Sequence, residues 1–296
     1  DAHQPLHGRR SGARCARGEG GRGVIVDVCQ RYVRRCARFV AAATPFDTRR
    51  YQVAAIPDDA TARAFVLTHH YSGSYPAARF RFGLYERAEF VGVAVFSVPV
   101  RAEVLRPLSL DAATELGRLV LLDQVPFNAE TWFVSRCAAA LAREGLAGFV
   151  MFSDPFPRTT AGGDAVFPGH LGVLYQGLGA CFLGRAHADT IHLLPDGRVF
   201  SRRAVAKVRA AERGWRYSVE QLVAAGATPP ADTSSAGLRT WVEGALAAVT
   251  RKVRHPGNLK YAFGVDRAAR KALPASLPYP RVARPACVPF EGRATA

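Results

Sequence analysis

Gly148-Phe149-Val150-Met151-Phe152 is an apolar run short enough for a buried strand, and directly after it the character of the chain reverses. From Ser153 to Arg185 reactive side chains crowd in, among them Ser153, Asp154, Arg158, Asp164, His170, Tyr175 and Gln176. Glycines and prolines separate them and keep much of the backbone in loops. A loop of this kind at the end of a buried strand is where α/β proteins keep their sites. The plain alternative is a surface loop whose Asp, Pro and Gly only make turns.

The surrounding pattern extends the α/β reading. Pro57-Asp58-Asp59 opens a helix, with acids where the helix dipole favours them, and the helix stops near Tyr71-Ser72-Gly73. That leaves His70 and Tyr71 at its C-terminal end. Arg79–Tyr85 alternates with period two and pairs through Glu86-Arg87-Ala88-Glu89 with the apolar Phe90–Ser97, a β-hairpin. Glu115–Leu122 is nearly continuous in apolar residues and reads as a central strand. Asn128 is placed to cap the next helix, whose inner stripe is Phe133, Cys137, Ala140 and Leu141. Pro195-Asp196-Gly197 turns a second hairpin. Beyond it the sequence predicts helices over Ser201–Glu212, from the capping box Ser218–Gln221 to Gly226, and over Leu238–His255, then a strand over Lys260–Val265. Val24–Ala43 reads as a basic helix, and Arg9–Gly23, almost without apolar residues, as disordered.

The charge is unevenly spread. The 296 residues carry 40 Lys and Arg against 24 Asp and Glu, a net +16. Residues 1–50 contribute +7 and residues 198–284 contribute +12, whereas residues 51–197 are at −3. A near-neutral core beside a basic flank points to an anionic polymer as partner; the alternative for the N-terminal part is a merely Arg-rich composition. The divisions that follow are a basic segment over 1–48, a catalytic core over 49–200, a basic helical extension over 201–284 and a tail over 285–296. The six cysteines show no CxxC pairs or zinc-finger spacing, which suits a reduced, cytoplasmic protein. No 18-residue apolar run exists to span a membrane, and Val24–Val28 is too short and too Arg-flanked for a signal peptide.

The element order, helix, hairpin, long strand, helix, strand, loop-helix, strand, resembles the acyl-CoA-dependent N-acyltransferases of the Gcn5-related class, a mixed sheet flanked by helices. The resemblance implies acetyl-CoA as cofactor, held along Leu119 and Leu121 and at the turn carrying Asn128 and Ala129. The turn reads Q-V-P-F-N-A-E, without the glycine-rich phosphate signature of that class. A narrower resemblance lies in H-H-Y-S at 69–72, F-V-G-V-A-V-F at 90–96, E-L-G-R-L at 115–119, F-S-D-P at 152–155, G-H-L-G-V-L-Y-Q at 169–176 and H-P-G-N-L-K-Y at 255–261. These blocks, spread over residues 50–265, are similar to the bacteriophage Mom family. That likeness implies a transferase that places a carbamoylmethyl-type adduct on the exocyclic amine of adenine in double-stranded DNA and so defeats restriction.

The same resemblance implies roles. His70 and Tyr71 supply a general base and a hydrogen-bonding phenol, Ser153 and Asp154 form a site at the strand end in which Asp154 accepts a proton or orients a partner, and Tyr175 protonates a departing thiolate. Each has a simpler reading: a dipole cap for His70, an Asp-Pro turn for Asp154, a core aromatic for Tyr175. His70, His170 and Asp154 would make a two-histidine, one-carboxylate metal set, although no spacing requires it. Arg202, Arg203, Lys207, Arg209, Arg251, Lys252 and Arg254 are the candidate phosphate contacts, or else a solvated helix face. Two other functions stay open: an acyltransferase acting on a protein or small amine, and a DNA-binding protein with an inactive acyltransferase fold.

Overall fold

The computed structural model describes residues 28–33, 36–41 and 46–281, except 100, 109–111 and 127. The disorder expected over Arg9–Gly23, the tail over 285–296, and Cys15 and Cys287 lie outside the described residues. The helix expected over Val24–Ala43 is instead an antiparallel ribbon of β1 (Val28–Val33) and β2 (Cys36–Ala41). Its valines, aromatics and cysteines carry strand propensity, which outweighs the basic spacing.

Next come β3 (Tyr51–Ala55) and α1 (Asp59–His69), whose start is fixed by Asp58 accepting the Thr61 N–H at 2.7 Å. The hairpin of β4 (Ala78–Glu86) and β5 (Glu89–Ser97) closes through Arg87 and Ala88, both at positive φ, which matches the strand twist. Then follow β6 (Ala113–Leu121), α2 (Ala129–Arg143), β7 (Gly148–Ser153), a small flap of β8 (Arg158–Thr159) and β9 (Ala165–Phe167), and the short α3 (Val173–Gly177). Asn128 does not cap α2 with its side chain: it sits in the left-handed region at φ 67 and makes no capping bond.

After β10 (Cys181–Arg185), strands β11 (Asp189–Leu193) and β12 (Val199–Phe200) form the second hairpin, and α4 (Arg202–Arg209), α5 (Trp215–Ala224) and α6 (Ser235–Val249) pack together. Ser218 is a buried residue inside α5 rather than its cap, because Gly214, at φ 86, opens that helix one turn earlier. The helix expected to run to His255 ends at Val249. Residues Arg251–His255 are strand β13, paired with β11, and β14 (Leu259–Gly264) and α7 (Arg267–Ala272) complete the order.

Seven strands form the main sheet in the order β10-β14-β7-β6-β5-β4-β3, antiparallel except for β6 beside β7. On one face α2 buries Phe133, Val134, Cys137 and Leu141 against Phe96, Phe149 and Met151. On the other, Ala62 and Val66 of α1 meet Val93, Val95 and Val120. The mixed α/β sheet with flanking helices is therefore present, in the element order read from the sequence. One expected boundary is not a boundary of the sheet: β14, well past residue 200, lies between β7 and β10. The basic helices are thus an insertion between neighbouring strands, with their own core of Phe200, Val208, Leu222, Leu238 and Val242. Cys137 and Cys181 are free thiols, and among the described residues no helix is long and apolar enough to cross a membrane.

Candidate active site

The sheet opens where the reactive residues converge. The parallel pairing of β6 with β7 covers only Ala113–Leu116 against Gly148–Met151. Beyond Leu116, β6 stays paired with β5, through Arg118↔Val95 to Leu121↔Gly92, while β7 keeps only its other edge paired, with β14. The strands splay, and among the described residues no strand pairs with the β7-facing edge of residues 117–121. The side chains of Leu121 and Ala129 are buried in the core, Leu119 packs against it and Asn128 is exposed. Any cofactor contact at Leu119 or Leu121 therefore runs through the open backbone edge.

On one side of the wedge, His70 ends α1. Its Nδ1 accepts the Ser72 N–H at 3.1 Å and lies 2.9 Å from the Ser72 hydroxyl, so the ring proton belongs on Nε2. Burial, with Arg118, His170 and Arg158 nearby, holds the His70 imidazole well below its usual range, and it is neutral at pH 7. Tyr71 is sandwiched between the His70 ring at 4.3 Å and the Phe167 ring at 4.5 Å. The Arg158 guanidinium lies 4.2 Å over Phe167 and 5.6 Å from the Tyr71 ring centre.

Asp154 is the organiser of the other side. Its Oδ1 accepts the Phe156 N–H at 2.9 Å and the His255 Nε2–H at 2.9 Å, and its Oδ2 lies 3.0 Å from Arg158 Nη2. His255 is oriented in turn by the Gly257 N–H, donated to Nδ1 at 3.0 Å. The Asp-Pro turn and the site residue are thus one and the same: the carboxylate folds its own loop and ties β7, β8 and β13 together. Ser153 is fully buried beside the Tyr261 hydroxyl. Tyr175 is buried against Tyr261 and donates to the Phe152 carbonyl at 3.3 Å. Burial, then Tyr71, Tyr261 and Glu115, raise the Tyr175 phenol far above its usual range, so it is a proton carrier and never a phenolate near neutrality.

The structure therefore brings His70, Tyr71, Ser153, Asp154 and Tyr175 together around the wedge. It does not assemble the metal set. His70 Nδ1 is taken by Ser72, Asp154 is engaged by two N–H donors and the Arg158 ion pair, and among the described residues no three His, Cys, Asp or Glu side chains are placed to hold an ion.

Sequence reasoning passed over four members of the site. His255 stood in the quoted H-P-G-N-L-K-Y block and Arg158 in the polar run, yet neither was assigned a role. Glu115 and Arg118 were visible as two charges inside an otherwise apolar strand, which is the signal that finds them. Burial raises the Glu115 carboxyl, with Arg118 opposing, which makes it a stronger base than a free carboxylate. Arg118 is anchored by the Ser74 carbonyl at 2.9 Å and hydroxyl at 2.7 Å.

The buried imidazoles give a pH dependence of stability. Burial first, with Arg158 adding and Asp154 opposing, pushes His170 down to about 4. Above pH 6.5 both folded and unfolded forms are neutral there; below it only the unfolded chain gains the proton, so stability falls until the folded ring also titrates. We expect a loss of about 3 kcal/mol from His170 between pH 6.5 and 4, with His70 adding to it. Urea midpoints measured at pH 7 and pH 4.5 should separate widely in the wild type and less in His170→Gln. Equal separations would mean that His170 titrates normally.

The candidate phosphate contacts divide into two groups. Arg202, Arg203 and Arg209 of α4 are exposed but paired with Asp189, Glu212 and Glu243; Lys207 is half-buried. Exposed pairs of this kind are weak, about 0–1 kcal/mol. Arg251, Lys252 and Arg254 of β13 are exposed, and among the described residues none has a carboxylate within ion-pair distance. Lys252 and Arg209 both press the His192 imidazole downward after burial, so the strand and α4 present their charge to one region.

A search of curated proteins found no match. Among solved structures, a tandem GNAT protein from the clavulanic acid biosynthesis pathway aligns over 73% of this chain and 99% of its own, at 8% identity and a TM-score of 0.37. The family model of the Mom protein family matches residues 50–230, which takes in the wedge, the Asp154 loop, the flap, α4 and α5. The chain belongs to the Mom protein family.

Proposed function

We propose that this protein transfers an acyl-type group to the exocyclic amine of adenine in double-stranded DNA. The observation that carries the reading is the composition of β13. Three cations without an ion pair among the described residues, Arg251, Lys252 and Arg254, stand on the same strand whose His255 fixes Asp154 at 2.9 Å. Phosphate affinity and the reactive cluster are then built on one element. Family membership supports a DNA-modifying transferase; an N-acyl adduct, acetyl-CoA as donor and protection from restriction are the finer parts of the proposal, whereas a carbamoylmethyl adduct would need a nitrogen source and an oxidant that a thioester does not supply.

The residues present fit an acyl-CoA unevenly. The unpaired edge of β6 from Gly117 to Leu121 suits an extended amide-bearing arm. The start of α2 suits phosphates poorly, with Glu130 in its first turn and no glycine-rich loop. Arg136, exposed in a groove between α2 and α3 lined by Thr131, Trp132 and Gly177, is the cation placed to hold them. When bound, such a donor supplies an acyl carbon activated by its sulfur. The protein does the rest: Tyr175 Oη keeps a proton available for the sulfur, the Glu115 carboxylate takes the proton shed by the amine, and Arg118 and Tyr71 wall the wedge.

The test is nucleoside mass spectrometry of plasmid DNA from cells expressing the full chain, Tyr175→Phe or Glu115→Gln. We expect a modified deoxyadenosine with the wild type and a decrease of about a hundredfold in each variant, the range of a lost acid or base. Unmodified DNA from folded wild-type protein would reject the reading and favour a protein or small amine as acceptor.

A further inference from the structure

We infer that the cavity between the flap and the β11–β12 turn receives the target base after it leaves the duplex. This rests on the proposed transfer to adenine, whose amine is paired in the helix and must be extruded before it can react. The cavity has a volume of about 150 Å³. A space of that order holds one six-membered ring, and because the cavity is partly open the second ring of a purine would lie at its mouth. Its walls are Tyr71, Val166, Phe167 and Val199, and its polar groups are Arg158 and Arg198 with serine hydroxyls between them.

Two features select a base over other occupants. Most of the lining surface is apolar, which a flat heteroaromatic ring covers and a strongly hydrated phosphate does not. Arg158 is only 8% exposed, and its Nε–H is buried with no acceptor among the described residues. A buried donor left unmade costs free energy and is satisfied by an acceptor that arrives, such as a ring nitrogen of adenine. Position agrees with chemistry. Tyr71 walls the cavity with its ring while its phenol is within the field of Asp154 and Arg158, and Tyr175 in turn feels Tyr71. Arg198 and Ser201 put the rim beside the start of α4, next to the basic region.

The experiment compares binding of the full chain to two labelled duplexes by fluorescence anisotropy, one with a single extrahelical adenine and one with an extrahelical abasic site. We expect the adenine duplex to bind about tenfold tighter, the lower end of what holding one base is worth. Val199→Trp and Val166→Trp, each filling the cavity from a different wall, should erase that preference and leave abasic-duplex affinity and its salt dependence unchanged. No preference in the wild type, or a preference that survives both variants, overturns the inference. The plasmid assay separates it from the transferase reading. Modified DNA with no adenine preference removes the cavity and leaves the transferase. An adenine preference lost in both variants, in a protein that leaves DNA unmodified, supports the cavity and removes the transferase.

Discussion

Gly257→Ala is expected to lower stability by about 3 kcal/mol, from left-handed backbone strain and a steric clash acting together. Gly257 sits at φ +96, and a Cβ there would lie 2.0 Å from the Ala186 carbonyl oxygen, which is backbone and cannot swing aside. The strain does not stay local. The Gly257 N–H orients His255, and His255 holds Asp154, so relief of the clash loosens the loop after β7. Gly145→Ala is the control. It is also at positive φ, +79, but among the described residues nothing lies within 4 Å of the added carbon, and a penalty of about 1 kcal/mol is expected. Thermal unfolding of the two variants should rank them clearly. Equal losses would show that the Ala186 contact relaxes freely.

Asp154→Ala carries the second large effect, and it falls on the fold as well as on activity. Removing the carboxylate leaves the buried Arg158 guanidinium without its ion pair and His255 Nε2 without its acceptor. Stranding a buried charge in this way costs about 3–5 kcal/mol. We expect Asp154→Ala to melt well below the wild type and to lose DNA modification, whereas Tyr175→Phe loses modification while unfolding near the wild-type temperature. A melting temperature matching the wild type would show that Asp154 is not the tie between β7, β8 and β13.

The contrast explains what could be read from the sequence. Period-two alternation in β4 and the apolar runs of β6 and β7 placed the sheet, because burial on one or both faces dictates those patterns. The crowding of polar residues after Phe152 marked the candidate site for a related reason: reactive groups gather where a buried strand surfaces. What escaped was set by contacts distant along the chain. Nothing near His255 announces that Asp154 is its partner. The run Arg251–His255 carries on the charge of the preceding helix, and only pairing with β11 makes it a strand. Asn128 and Ser218 had the composition of caps, but glycine-like backbone at Asn128 and an earlier start at Gly214 removed the need for them.

The place of β14 in the sheet has a consequence for the order in which the molecule is made. During synthesis β7 emerges early, yet one of its edges is paired only once the chain has passed through both hairpin strands, three helices and β13. Until then a central, apolar strand stands open, and neither the acid loop at its end nor the basic strand that steadies it can settle. The reactive cluster and the strand that steadies it are therefore completed only after the whole basic insertion has been made. A chain interrupted inside the insertion would have neither.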